Sequence, residues 1–217
     1  MQALAECAGC EGPLLPPHLA RITTPMDGGV WEQELAGHPD AVLVKEILRG
    51  INTGFKVGYD QGRAPLRAQG RNMQSAAEHN KVVEDYLAEE VEAGRVVLAG
   101  TSQQAEALGI HCSPFGVIPK KNRPGKFRLI LNLSAPEGAS VNDGICKELA
   151  TLSYVTLDEV AESAARLGNG ALLAKMDIKQ AYRQVPVHPK DRRLLGMLWN
   201  ENVYIDTTLP FGLRSAP

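Results

Sequence analysis

The residue types best suited to chemistry gather in the second half of the chain. Asp177 ends the apolar run ALLAKMD (171–177), and a carboxylate at the mouth of a buried strand can hold a cation. Mg²⁺ favours oxygen ligands, keeps several waters and takes one or two carboxylates alongside substrate phosphates. A lone Asp in that place more often caps the next turn, so its neighbours decide. Tyr182 stands five residues further on, after Ile-Lys-Gln-Ala. The run PKKNRPGKFR (119–128) carries Lys120, Lys121, Arg123, Lys126 and Arg128, five cations in nine residues with no acid among them. Cations on a hairpin can close over a triphosphate. LPFGLRSAP (209–217) comes last. Each piece is common; the ordered set is not.

These residues need elements to hold them. FGVIPKK and KFRLILNL read as two strands joined by a basic hairpin with a Pro-Gly turn. Thr156-Leu-Asp-Glu159 is a capping box, and the helix behind it runs to about Leu167. After a GNG break, 171–177 reads as a short buried strand; LLGMLW and VYIDTT then flank Asn200-Glu201-Asn202 as a hairpin. Strand, strand, helix, strand and hairpin make an α+β fold. Asp206 reads as solvent-facing, and His188, Arg192 and Arg193 as surface groups of a Pro-containing turn.

Upstream, residues 1–39 are Pro- and Gly-containing without a period and read as loop-rich or disordered. Residues 40–110 form a helical leader. In AVLVKEILRGI, Val44, Ile47, Leu48 and Ile51 recur at helical spacing, with Gly50 or Gly54 as the stop. GFKVGYD reads as a short strand. Ser75-Ala-Ala-Glu78 reads as a capping box opening one helix to about Ala93, with Val83, Tyr86, Leu87 and Val91 on the apolar face. Glu84, Asp85, Glu89, Glu90 and Glu92 lie mostly on its wet side.

The net charge of −2 over 217 residues argues against a generally basic nucleic-acid binder. Its distribution is uneven: residues 1–110 hold 9 Lys+Arg against 15 Asp+Glu (−6), and residues 111–217 hold 14 against 10 (+4). No apolar run reaches the roughly 18 residues of a membrane span, and no signal-peptide pattern opens the chain, so an intracellular protein with reduced thiols is expected. Cys7 and Cys10 form a CxxC pair without the four ligands of a structural zinc site.

SPFGVIPKKNRPGKFRLILNLS, AKMDIKQAYRQVPVHPKDRRLLGM and LPFGLRSAP resemble, in order, the fingers motifs, motif A and the start of motif B of reverse transcriptases. The wording around DIKQAYRQVPVHPKDRRLLGMLW is most similar to retrotransposons of the DIRS type, which carry a tyrosine recombinase. HPD…ILRGINTGFKVGYD and EHNKVVEDYLAEEVEAGRVV resemble that group's leader to the polymerase, so the likeness covers roughly 38–217 and is strongest from 111 onward. It implies a partial right-hand polymerase, with fingers and the first part of the palm in 111–217. It further implies Asp177 as a catalytic metal ligand for Mg²⁺, with the Ile178 carbonyl as a second oxygen. Tyr182 would be the ring beneath the deoxyribose that excludes a 2′-hydroxyl. Lys120 (or its neighbour Lys121) and Arg128 would contact the triphosphate, and Phe211 and Gly212 would form the floor beside the nucleotide. An RNA/DNA primer–template and a dNTP are the implied partners; no membrane is.

The same likeness implies that the chain stops before motif C. No Asp-Asp dipeptide occurs, so the second carboxylate pair, the thumb and any RNase H domain are expected to be missing, leaving a fragment inactive alone with exposed apolar palm surface. A non-catalytic nucleic-acid- or nucleotide-binding module derived from a retrotransposon is the alternative. A different α+β enzyme in which Asp177 is incidental is the third reading.

Overall fold

Helical spacing and capping residues shape the first half of the chain, whose computed structural model describes residues 15–60, 62, 66, 71–121, 123–148 and 150–216. The Cys7–Cys10 pair lies outside the described residues. Residues 15–39, expected as loop, hold two short helices, α1 (Pro17–Ala20) and α2 (Gly28–Glu34). Asp27 caps α2 by accepting from the Gly29 and Val30 amides, which an irregular composition conceals. α3 (Ala41–Thr53) begins where the Asp40 carboxylate accepts from Leu43 N and ends at Gly54. Gly54 sits at φ +87°, and a Cβ there would lie 2.5 Å from the His188 backbone, so only glycine lets the chain pass. GFKVGYD forms isolated bridges, Phe55 to Val187 and Tyr59 to Ile145, in place of a strand.

The expected single helix from Ser75 is two, α4 (Gln74–Glu78) and α5 (Asn80–Glu92), broken at His79. The Ser75 hydroxyl accepts from Val117 N, so it is engaged by the neighbouring strand and makes no capping box. At the break, the His79 ring packs 4.3 Å from Phe127. Val83, Leu87 and Glu90 are the buried residues of α5, whereas Val91 is 40% exposed. Glu90 therefore stands on the face the sequence pattern assigns to apolar residues, and Val91 does not.

β1 (Val96–Thr101) follows, then α6 (Ser102–Ala107), which Thr101 and Gln104 cap reciprocally. β2 (Phe115–Pro119) and β3 (Phe127–Leu131) form the expected antiparallel hairpin. A 3-10 turn (Asn142–Gly144) leads to α7 (Leu157–Leu167), whose Thr156–Glu159 capping box forms as expected. Another 3-10 turn (Ala181–Gln184) and α8 (Pro189–Arg192) precede the hairpin of β4 (Gly196–Trp199) and β5 (Asn202–Asp206), turned through Asn200 and Glu201 at positive φ. β5 lies between β4 and β1 in a three-stranded antiparallel sheet.

One expected strand does not form. Residues 171–177 form no strand; Leu172 is 96% exposed and Met176 94%. A strand needs a neighbour for its N–H and C=O groups, and among the described residues no strand of the β1-β5-β4 sheet or of the β2-β3 hairpin pairs with this run. α7 likewise has no buried residue, although its own apolar stripe is well formed. The main core joins Val83, Leu87, Val96, Phe115, Val117, Leu133, Leu195 and Met197, and a smaller one gathers Leu19, Ile110, Cys112 and Ile205. The result is a mixed α/β fold. No helix among the described residues is long and apolar enough to cross a membrane.

Candidate functional site

The basic hairpin is a projecting arm on a buried root. Phe115 and Val117 are buried at its base, while Ile118 pairs with Arg128 and Pro119 with Phe127 near its tip. Lys120 N donates to Lys126 O at 2.8 Å, and Gly125 turns at φ +73°. Lys120, Lys121, Arg123, Lys126 and Arg128 are all exposed. Among the described residues, none of the five enters an ion pair. Unpaired cations on a two-stranded arm are free to meet phosphate.

Asp177 and Ile178 lie in the exposed segment before the 3-10 turn, and Asp177 makes no hydrogen bond or ion pair among the described residues. Gln180, at φ +52°, reverses the chain into the turn. Tyr182 is half-buried there, its ring centroid 5.3 Å from that of Phe211 in an edge-to-face arrangement at 78°. The two segments are tied by backbone as well. Leu209 N donates to Val185 O at 3.0 Å, and Pro186 bridges Thr208.

Gly212, at φ +92°, is held by a residue that sequence reasoning missed. Asn142 donates from Nδ2 to Gly212 O and to Ser134 Oγ, both at 2.9 Å, and accepts from Arg214 N at 2.7 Å. A Cβ on Gly212 would come 3.5 Å from Leu131 O at the root of the arm. Tyr182, Phe211 and Gly212 therefore meet next to the base of β3. Among the described residues, Asp177, Lys120 and Arg128 have no side-chain hydrogen bond or ion pair to that group or to one another.

Behind the turn lies a buried charge network. Arg183, 3% exposed, donates to Glu90 at 2.6 and 3.2 Å and pairs with Asp206 at 2.6 Å. Arg95 holds the other side of Glu90 at 2.7 and 2.8 Å. Burial pushes the Asp206 carboxyl up to about 6, against the opposing pull of Arg183. Burial also pushes Glu90 up, but Arg95 and Arg183 outweigh it and hold that carboxyl below its ordinary range. Burial opposes the Arg183 charge, which Asp206 and Glu90 nevertheless secure. Asp206 is thus not solvent-facing: its place at the end of the central strand β5, opposite Val96, turns it inward.

Arg192 and Arg193 are not surface charges either. Arg192 is fully buried and donates to Val187 O, Leu19 O and Arg21 O at 3.0, 2.7 and 2.8 Å. Burial presses its guanidinium down to about 10. Arg193 is also buried, and His188 is half-buried and caps α8 by accepting from Lys190 N. The only sequence signal for these was their place between the apolar runs QVPV and LLGM, where the chain cannot leave the core for long.

No family model matches the sequence. Among solved structures, a mutant of the prototype foamy virus protease–reverse transcriptase superposes with a TM-score of 0.50 at 13% identity, over 89% of this chain and 26% of that one. The native protease–reverse transcriptase of the same virus gives 0.47 at 17% identity over 95% and 26%. The foamy viral enzyme in complex with RNA/DNA hybrid gives 0.48 at 13% over 89% and 26%. The chain spans about a quarter of the length of these proteins. The first likeness establishes a reverse-transcriptase-like fold for this chain.

Proposed function

We propose that this chain is the fingers and first palm segment of a retroelement reverse transcriptase of the DIRS type, and forms the nucleotide-facing side of its polymerase site. The contact between Tyr182 and Phe211 carries this reading, because it joins two motifs far apart in sequence into one aromatic wall beside a glycine. In this reading the deoxyribose rests on Tyr182, whose ring excludes a 2′-hydroxyl by volume. Phe211 and Gly212 form the floor, and the missing side chain at Gly212 leaves room for the nucleotide. Lys120 and Arg128 reach the triphosphate from the arm, and the remaining arm cations track the phosphates of an RNA/DNA primer–template. The working unit is 111–217, with 40–110 as its structural leader.

Magnesium is the ion this chemistry calls for, and the residues present fit it only in part. Asp177 and the Ile178 carbonyl suit one ion completed by water and substrate phosphates. Two-metal nucleotidyl transfer needs carboxylates on both sides of the reacting phosphate, and no group of three or more His, Cys, Asp or Glu among the described residues could hold a metal. The chain by itself is therefore read as binding nucleotide without polymerising it. That same shortage favours the second reading, a retrotransposon-derived module that grips nucleic acid or nucleotide without catalysis.

Photo-crosslinking of a labelled dNTP to the full chain tests the nucleotide site. Labelling should require Mg²⁺, map to the Lys120–Arg128 arm and fall sharply in the Lys120→Ala/Arg128→Ala double variant. Labelling indifferent to both substitutions would remove the proposal. Primer extension by the isolated chain would overturn the inactive-fragment part of it. An Asp-Asp motif further along the parent reading frame would favour the polymerase over the binding module.

A further inference from the structure

The Tyr182 turn is anchored unusually. Every residue from 172 to 181 is exposed, Tyr182 and Gln184 are half-buried, and Arg183 is the only buried residue of the stretch 171–184. Downstream, backbone contacts fix the chain from Val185 onward. Upstream, no strand holds it. Thr24 Oγ1 donates to Gln184 O at 2.7 Å and holds the far end of the turn, so the orientation at Tyr182 depends on where the Arg183 guanidinium is seated.

That seat is built from two distant elements. Glu90 comes from α5 and accepts both Arg183 hydrogen bonds, while Asp206 comes from the end of β5. Arg95 fixes Glu90 from the opposite side, and Thr207 donates from its hydroxyl to Arg95 O at 3.0 Å, closing the ring back onto the residue after Asp206. A planar guanidinium gripped by two carboxylates has a defined position and tilt, unlike an ammonium point charge. Tyr182 immediately precedes Arg183 in a one-turn 3-10 helix, so its ring direction follows.

We infer that Arg183, seated between Glu90 and Asp206, is a positioning residue that sets the Tyr182 ring against Phe211, making sugar discrimination depend on the leader helix α5. The sugar-selective part rests on the reading of Tyr182 as the wall of the nucleotide site; the positioning part rests on the geometry alone. Glu90, which sits among helix acids that face water, thereby becomes a specificity determinant without touching substrate.

The test uses the full chain with Arg183→Met and the milder, near-isosteric Glu90→Gln, each checked for cooperative unfolding. The first readout is the set of NMR cross-peaks between the Tyr182 and Phe211 ring protons; the second is the ratio of dNTP to rNTP crosslinking. Both variants should lose the cross-peaks, and the ratio should fall by about tenfold or more, the scale of pocket-shape discrimination. If Arg183→Met fails to fold, Glu90→Gln decides alone. Intact cross-peaks in a folded variant overturn the inference. Vanished cross-peaks with an unchanged dNTP preference uphold the positioning role and overturn Tyr182 as the discriminating wall. Vanished cross-peaks in a chain whose wild type binds no triphosphate uphold the positioning role and reject the nucleotide site itself.

Discussion

Replacing Arg183 with Met removes two ion pairs of 2.6 Å from a site where each partner is almost fully buried. Glu90 keeps Arg95 at 2.7 Å, but Asp206 is deprived of its cation. Breaking a buried pair by deleting one partner costs about 3–5 kcal/mol, because the other charge stays desolvated. A solvent-exposed ion pair is in general worth only roughly 0–1 kcal/mol. Against a typical total of about 5–15 kcal/mol, the substitution should displace the urea midpoint strongly with little change in slope. The pH dependence sharpens the test. Asp206 is raised by burial from 3.8 to about 6, so its contribution to stability is fully present below 3.8 and is lost as pH rises through 6. With Arg183 gone its carboxyl rises further, and the penalty is heaviest at pH 8. The gap between variant and wild type should therefore narrow as pH falls from 8 toward 5. A loss under about 1 kcal/mol, or the same loss at both pH values, would refute the view of this network as a desolvated structural centre.

Three further outcomes are expected. Arg192→Ala should cost about 3 kcal/mol, since three carbonyls lose a charged donor, and amide exchange should speed up first in residues 19–23. Thr156→Ala should lower the protection of α7 by about 1 kcal/mol while leaving the global midpoint in place, because that helix buries no residue against the core. Gly54→Ala should lower the melting temperature by several degrees or more, because its Cβ would meet the His188 backbone at 2.5 Å with φ at +87°.

Local chemistry was legible in the sequence wherever neighbouring residues alone decide the outcome. The Thr156–Glu159 cap, the basic hairpin and the 196–206 hairpin follow from spacing and turn residues, and all three form. Readings that depend on which distant element competes for a group fared worse. Ser75 and Glu78 have the capping pattern, but β2 engages the hydroxyl. The run 171–177 has the composition of a strand, but composition supplies no partner, and among the described residues no strand pairs with it. Glu90 and Asp206 look like surface acids until Arg183 is brought between them by long-range folding. Asn142 carried no signal at all, since its amide serves two loops that meet only in three dimensions. Of the site residues themselves, Tyr182 and Phe211 converge, whereas among the described residues Asp177 makes no hydrogen bond or ion pair with the arm.

The most direct test of the central claim is the salt dependence of binding to an RNA/DNA primer–template. Fluorescence anisotropy would follow it for the wild-type chain and for one with Lys120, Lys121, Arg123, Lys126 and Arg128 all changed to Ala. Each phosphate neutralised by a cation adds roughly 0.7–0.9 to the log–log slope. A nucleotide-facing polymerase segment whose arm tracks the template therefore predicts a slope shallower by several units in a variant that still folds. Equal slopes and affinities for the two proteins would contradict it.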